Sequence, residues 1–177
     1  PTGSGKSTHV PHLLLRSKWS RRGPIVFTQP RIQATARIPM FVARLNDSSC
    51  GPGADIGYSH SKAEEYDRRT RLLFMTDGKL INDIVAGAIA NCSVIMIDEA
   101  PERSVNIDLI LGLLREQLYL YPHLRLIVAS ATIDHESFVR FFGGDSRVPF
   151  IEAKGKLYEV VEHYWGEAGD DWWQSVN

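Results

Sequence analysis

Four consecutive apolar residues, Val94-Ile95-Met96-Ile97, run directly into two carboxylates, Asp98 and Glu99. A strand with one solvated face alternates apolar and polar positions. A short run that is apolar at every position predicts a strand buried on both faces. Comparable runs occur at Pro24–Thr28, Leu72–Thr76 and Leu124–Ala129, with shorter candidates at Ile56–Tyr58, Val148–Ile151 and Tyr158–Tyr164. Between them lie segments of helical period: Lys6–Lys18, Arg31–Leu45, Asp77–Ala90, Asn106–Leu120 and Asp134–Phe142, the last closed by Gly143-Gly144. Pro39 should kink or split the second helix, and Asp77 is a candidate cap for the third. Asn46–Gly53 reads as a loop and Lys62–Arg71 as a charged, exposed stretch. Strands alternating with helices predict an α/β fold, a mostly parallel sheet flanked by helices on both faces.

The chain has 177 residues, enough for one domain with a real core. Its net charge of −1 gives no overall basic signature for nucleic acid, although a local basic strip would suffice. Two cysteines, Cys50 and Cys92, are too few for a disulfide framework or a four-ligand zinc site, and read as reduced thiols of an intracellular protein. None of the six histidines has metal-ligand spacing. No apolar run approaches the roughly 20 residues that span a membrane. There are no internal repeats. The last stretch, from Gly166 to Asn177 with adjacent Trp172 and Trp173, reads as a connection to a further domain, the tryptophans packing on a neighbour.

The chain opens with Pro1-Thr2-Gly3-Ser4-Gly5-Lys6-Ser7-Thr8, which matches the later positions of the phosphate-binding signature G-x-x-x-x-G-K-[S/T]. The first glycine of that signature would precede Pro1, so the chain is expected to be a piece of a larger protein. In such a loop Gly3 and Gly5 let backbone N–H groups turn inward around a phosphate, and the following helix adds its positive N-terminus. Lys6 can reach the β- and γ-phosphates, and the Ser7 hydroxyl can ligate Mg²⁺. Alone, the segment favours a nucleotide over the plainer reading, a glycine-rich helix start that happens to carry a lysine. Alone, Asp98-Glu99 could be two solvated acids at a strand exit. Together, on alternating strands and helices, they point to a nucleoside triphosphate. Asp98 would hold Mg²⁺, and Glu99 would orient and deprotonate the attacking water.

Further motifs narrow this reading. Asp98-Glu99-Ala100 resembles the start of a D-E-A-H box. Thr28-Gln29-Pro30-Arg31 resembles a T-Q-P-R motif, Thr76-Asp77-Gly78 followed by Lys79-Leu80 a T-D-G-x-L motif, and Ser130-Ala131-Thr132 an S-A-T motif. In this order and spacing they are similar to the first RecA-like domain of DEAH/RHA-type superfamily 2 RNA helicases, from Pro1 to about Tyr164. The resemblance implies a RecA-like, ATP-binding domain over residues 1–165 and the start of a connection at 166–177. It implies ATP and Mg²⁺ as cofactors, with Thr2 to Thr8 on the nucleotide, Lys6 and Glu99 catalytic, and Ser7, Asp98 and Glu99 at the metal. It places Thr28, Gln29, Pro30, Arg31, Thr76, Asp77 and Gly78 on RNA, through backbone contacts that position without reading bases. Ser130, Ala131 and Thr132 would couple the two sites. RNA is the expected polymer rather than DNA, with a second RecA-like domain of the same protein as partner. Whether an activating protein partner is also needed is open at this point.

Read without the resemblance, Thr28–Arg31 is a strand-to-helix turn, Thr76–Gly78 a helix cap and Ser130–Thr132 a polar strand end. The chain also departs from the family pattern. Pro101 stands where the box has histidine, Ile32 where a second arginine is usual, and Ser59-His60-Ser61-Lys62 where an Arg-Phe-Glu segment is usual. Proline offers no side-chain donor or acceptor. The alternative is therefore a catalytically impaired homologue serving as an RNA-binding or scaffold module. A different P-loop ATPase is a further alternative, against which the T-Q-P-R and T-D-G motifs speak. Because the family's transition-state arginines lie on the second domain, this chain by itself is expected to bind ATP weakly and hydrolyse it negligibly.

Overall fold

The computed structural model describes residues 4–100, 104–130, 135–144 and 146–152. Helix α1 (His9–Arg16) is followed by a short 3-10 turn, then strand β1 (Ile25–Gln29) and helix α2 (Ile32–Leu45). Strands β2 (Ile56–His60) and β3 (Ala63–Glu65) form a hairpin, and β4 (Leu72–Thr76) leads without a break into α3 (Asp77–Val85). Then come β5 (Val94–Ile97), α4 (Val105–Leu120), β6 (Arg125–Val128) and α5 (His135–Phe142). The strands form one six-stranded sheet in the order β3-β2-β4-β1-β5-β6. All neighbours are parallel except β2 and β3.

The uniformly apolar strands are explained by two separate core layers. Ile25 and Phe27 of β1, Leu72 and Phe74 of β4, and Val94 and Met96 of β5 face one side, where they pack with Leu15 of α1 and Val42 and Ala43 of α2. Val26, Met75, Ile95 and Ile97 face the other, against Leu80 and Ile84 of α3 and Ile107, Ile110, Leu111 and Leu114 of α4. Side chains on a strand alternate faces, so both sets must be apolar when both faces are covered. The Phe27 and Phe74 rings, on neighbouring strands, meet at a centroid distance of 5.0 Å.

Several sequence expectations need correction. Regular helix starts at His9 rather than Lys6, because residues 4–8 form the preceding turns. Helix α2 passes through the buried Pro39 as one element and is not split. Asp77 is the first residue of α3 and not its cap; Thr76 occupies the cap position, and an acid in the first turn suits the helix dipole. Helix α3 stops at Val85, five residues before the predicted end at Ala90, because Gly87 turns left-handed (φ 72°) into a 3-10 turn at Ala88–Asn91. The charged stretch after Lys62 contains the edge strand β3. The strand expected at Val148–Ile151 does not form: this stretch carries no regular structure, and Phe150 and Ile151 are exposed. The strand expected at Tyr158–Tyr164 and the stretch 166–177 lie outside the described residues.

Gly57 of β2 is required by close approach. A Cβ there would lie 2.6 Å from the Glu65 carbonyl oxygen and 2.7 Å from the Tyr66 Cβ. Gly57→Ala should therefore push the β2–β3 hairpin apart and destabilise the full-length protein by about 1–3 kcal/mol, seen as a lower denaturant midpoint. Burial pushes the Cys92 thiol up to about 12, with Asp83 adding to it, and the Cys50 thiol up to about 11, with Glu65 adding to it. At pH 8 both should react with a disulfide reagent at least about 100-fold more slowly in the folded protein than in denaturant. Equal rates in the two conditions would refute this environment.

Candidate nucleotide and metal site

Parallel strands share one carboxyl edge, and the motif residues collect there. Strands β1, β4, β5 and β6 end at Gln29, Thr76, Ile97 and Val128, and the start of α1 lies over the ends of β1 and β5. Gly5 takes a left-handed backbone (φ 81°), and its carbonyl oxygen accepts from the N–H groups of Thr8 (3.2 Å), His9 (2.7 Å) and Val10 (3.4 Å). A Cβ at this position would lie 2.6 Å from His9 Nδ1. The tight turn needs glycine for both reasons. Lys6 Nζ donates to Ser4 Oγ at 3.2 Å, within the same loop.

Asp98 is the centre of the site. It follows β5 directly and is 2% exposed. A carboxylate this buried needs donors around it. The Ser7 hydroxyl donates to Oδ2 at 2.5 Å, across a sequence separation of 91. Gln29 Nε2 donates to the same oxygen at 2.8 Å, and the Glu99 backbone N–H donates to Oδ1 at 3.0 Å. Glu99, the next residue, is exposed and has a left-handed backbone (φ 53°), rare for a residue with a side chain. The chain is secured again at once: Ala100 is fully buried, its N–H donates to the Ala129 carbonyl at 3.4 Å, and the Ala129 N–H donates to the Ile97 carbonyl at 2.8 Å. One acid is thus held inside and its neighbour is turned out to solvent.

Among the described residues no group of three or more His, Cys, Asp or Glu side chains could hold a metal. A Mg²⁺ held with a nucleotide needs less, one or two protein oxygens plus the phosphates. The Ser7 hydroxyl oxygen and Asp98 Oδ2, 2.5 Å apart at the base of the loop, are hard oxygen donors of the right kind. The residues present fit that cation.

The expected RNA-facing set is only partly presented at the surface. Pro30 is half-buried and Arg31 exposed, at the exit of β1. Thr28 is 0% exposed, and its hydroxyl has no hydrogen-bond partner among the described residues. Gln29 is 3% exposed and turned to Asp98. The last side chains of β1 point into the two helical layers, so neither the Thr28 nor the Gln29 side chain is available to a polymer. Asp77 is also buried, whereas Thr76 is half-buried and Gly78 exposed. Thr76 and Gly78 line a cleft of about 660 Å³ with His60 and Lys62 of the hairpin and with Glu64, Lys79 and Asn82. Lys79 Nζ lies 2.9 Å from Glu64 Oε1 and 3.5 Å from Asp83 Oδ1. That pairing holds the Glu64 carboxyl below its ordinary range and raises the Lys79 ammonium.

The hairpin's share of this cleft was not expected from the sequence, where residues 59–62 are notable only as a departure from the family pattern. The Gln29–Asp98 bond was also missed, though strand alternation carries a signal for it. Ser130 is half-buried beyond β6. Thr2, Gly3, Pro101, Ala131 and Thr132 lie outside the described residues.

No family model matches the chain. Curated relatives do. The chain is 40% identical over 184 residues to the probable ATP-dependent RNA helicase DHX35 homolog of Caenorhabditis elegans, covering 99% of the chain and 25% of that protein. It is 37% identical over 174 residues to the probable ATP-dependent RNA helicase DHR2 of Saccharomyces cerevisiae, covering 96% of the chain and 23% of the relative. It is 38% identical over 164 residues to the ATP-dependent RNA helicase HrpA of Escherichia coli, covering 92% of the chain and 12% of the relative. The chain therefore spans about a quarter or less of the length of these relatives. Similarity across nearly the whole chain, on a mostly parallel α/β sheet that gathers the motif residues at one edge, establishes that the chain belongs to the DEAH/RHA-type helicases of superfamily 2.

Proposed function

We propose that this chain is the ATP-binding half of an RNA helicase motor, which binds ATP with Mg²⁺ and RNA and hydrolyses ATP together with a second RecA-like domain. The observation that carries this reading is the hydrogen bond between Ser7 and Asp98, which joins the phosphate-binding loop to the acidic strand end. The relatives' names, all ATP-dependent RNA helicases, support the same reading over that of an impaired scaffold.

Each residue has a chemical task on this proposal. The backbone amides of Thr2 to Thr8 cradle the phosphates, with Gly5 giving the turn that exposes them. Lys6 carries its charge to the β- and γ-phosphates. Ser7 and Asp98 hold Mg²⁺, which when bound neutralises charge building on the phosphate oxygens. Asp98 can be buried because its donors compensate it, whereas Glu99 stands in solvent where it can orient a water and accept its proton. Ser130, Ala131 and Thr132, beyond β6, would report the state of this edge to the RNA side. RNA would lie over Pro30 and Arg31 and along the cleft at Thr76 and Gly78, contacting phosphate and sugar rather than base edges. The half-buried or buried free thiols Cys50 and Cys92 suit an intracellular protein. Among the described residues no helix is long and apolar enough to cross a membrane.

Glu99→Gln in the full-length protein should lower RNA-stimulated ATP hydrolysis by about 10²–10⁴-fold while leaving nucleotide affinity within about twofold of wild type. Unchanged turnover would remove Glu99 from the role of base. Stimulation by DNA but not by RNA would overturn the polymer assignment. Gly5→Ala should weaken nucleotide binding by about tenfold or more, since the left-handed turn and the contact with His9 both resist a side chain; titration of a fluorescent ATP analogue measures it.

A further inference from the structure

The family pattern groups the second residue of the T-Q-P-R motif with its neighbours on RNA. The geometry points to a different task for Gln29: we infer that it is a positioning residue for the metal-holding carboxylate of Asp98. This rests on the nucleotide-binding reading above and deepens it.

The inference follows from strand register. Strands β1 and β5 are adjacent and parallel, with Ile25 opposite Val94, Phe27 opposite Met96 and Thr28 opposite Ile97. One step further brings Gln29 level with Asp98. Phe27 and Met96 both face the α1–α2 side of the sheet. Two residues on, Gln29 and Asp98 face that same side, under the start of α1, where Ser7 sits. The Gln29 side chain is sealed there, 3% exposed, and its Nε2 lies 2.8 Å from Asp98 Oδ2. An amide facing a carboxylate must present its N–H, since its oxygen would be repelled.

Asp98 Oδ2 therefore receives two donors, from Ser7 and Gln29, and Oδ1 receives the Glu99 N–H. Ser7 belongs to the loop that nucleotide must enter and shape. Gln29 belongs to the central strand β1, hydrogen-bonded on both sides by β4 and β5, so its backbone is held by the sheet rather than by the loop. It is the donor that fixes which way the carboxylate faces. Without it the Asp98 side chain loses a restraint on its rotation, and its value as a cation ligand falls while the phosphate cradle is untouched.

The test uses the full-length protein with Gln29→Met, close in size but without a donor, and Gln29→Glu, which sets a second carboxylate against Asp98. Affinity for a fluorescent ATP analogue is titrated with Mg²⁺ and with EDTA, and RNA affinity is measured without nucleotide. In Gln29→Met the gain in nucleotide affinity that Mg²⁺ confers should shrink by about tenfold, the loss of one charge-assisted hydrogen bond, and in Gln29→Glu by more. Affinity in EDTA and affinity for RNA should stay within about twofold of wild type. A full Mg²⁺ gain in folded Gln29→Met, or a loss of RNA affinity with the Mg²⁺ gain intact, overturns the proposal. Should Gln29→Met fail to fold by circular dichroism, Gln29→Asn, which keeps a donor on a shorter arm, decides by the same two readouts. Failure of the underlying reading looks different: wild type itself would show no Mg²⁺ gain, or Asp98→Ala would leave that gain intact.

Discussion

Everything at the working edge depends on keeping one carboxylate buried. Asp98 sits at the end of a strand whose preceding four residues are sealed in two apolar layers, so it cannot reach water by small adjustments. An isolated charge in that position would be far more costly than the fold could sustain. Three donors from three places in the chain offset that cost: the glycine-rich loop before α1, the neighbouring strand and the backbone of the next residue. They also join the loop to the ends of β1 and β5 through one carboxylate.

The two-layer core makes this arrangement possible. Parallel strands in close register bring their ends to one edge, and the alternation of side chains sends successive residues into opposite helical layers. The same alternation that buries Phe27 and Met96 on the α1–α2 side sends Gln29 and Asp98 there too. Thr28, between them in phase, is sent to the side of α3 and α4 and is sealed there, its hydroxyl without a hydrogen-bond partner among the described residues. The hydroxyl that a motif comparison would set against a polymer is in this structure part of the interior.

Much of this was legible in the sequence. The apolar runs at Leu72–Thr76 and Val94–Ile97 announced central strands, and helix α4 followed from the spacing of Ile107, Ile110, Leu111 and Leu114, because burial on one face leaves a periodic trace. The loop and Asp98-Glu99 were recognisable as partners from their chemistry. The short strand β3 was not legible, since Ala63-Glu64-Glu65 carries the composition of a solvated edge, and it is set by pairing with β2 across a tight turn. At Val148–Ile151 apolar composition misled: Pro149 has no backbone N–H to give to a ladder, and the stretch carries no regular structure. Side-chain direction at a strand end was the hardest feature. Motif spacing names Gln29, and only the register of β1 against β5 decides that it belongs with Asp98 rather than at the surface.

The left-handed backbone at Glu99 separates two carboxylates that the sequence places side by side. In a continuing strand Glu99 would have entered the opposite apolar layer. The reversal at φ 53° lifts it out, and Ala100 returns to full burial one residue later. The two neighbouring acids therefore end in opposite environments, one inside and one outside. The main chain of Glu99 is clamped between two buried residues, Asp98 and Ala100, while its side chain stays on the exposed side of the edge. A single left-handed residue lets the same strand end present one sealed carboxylate and one exposed carboxylate.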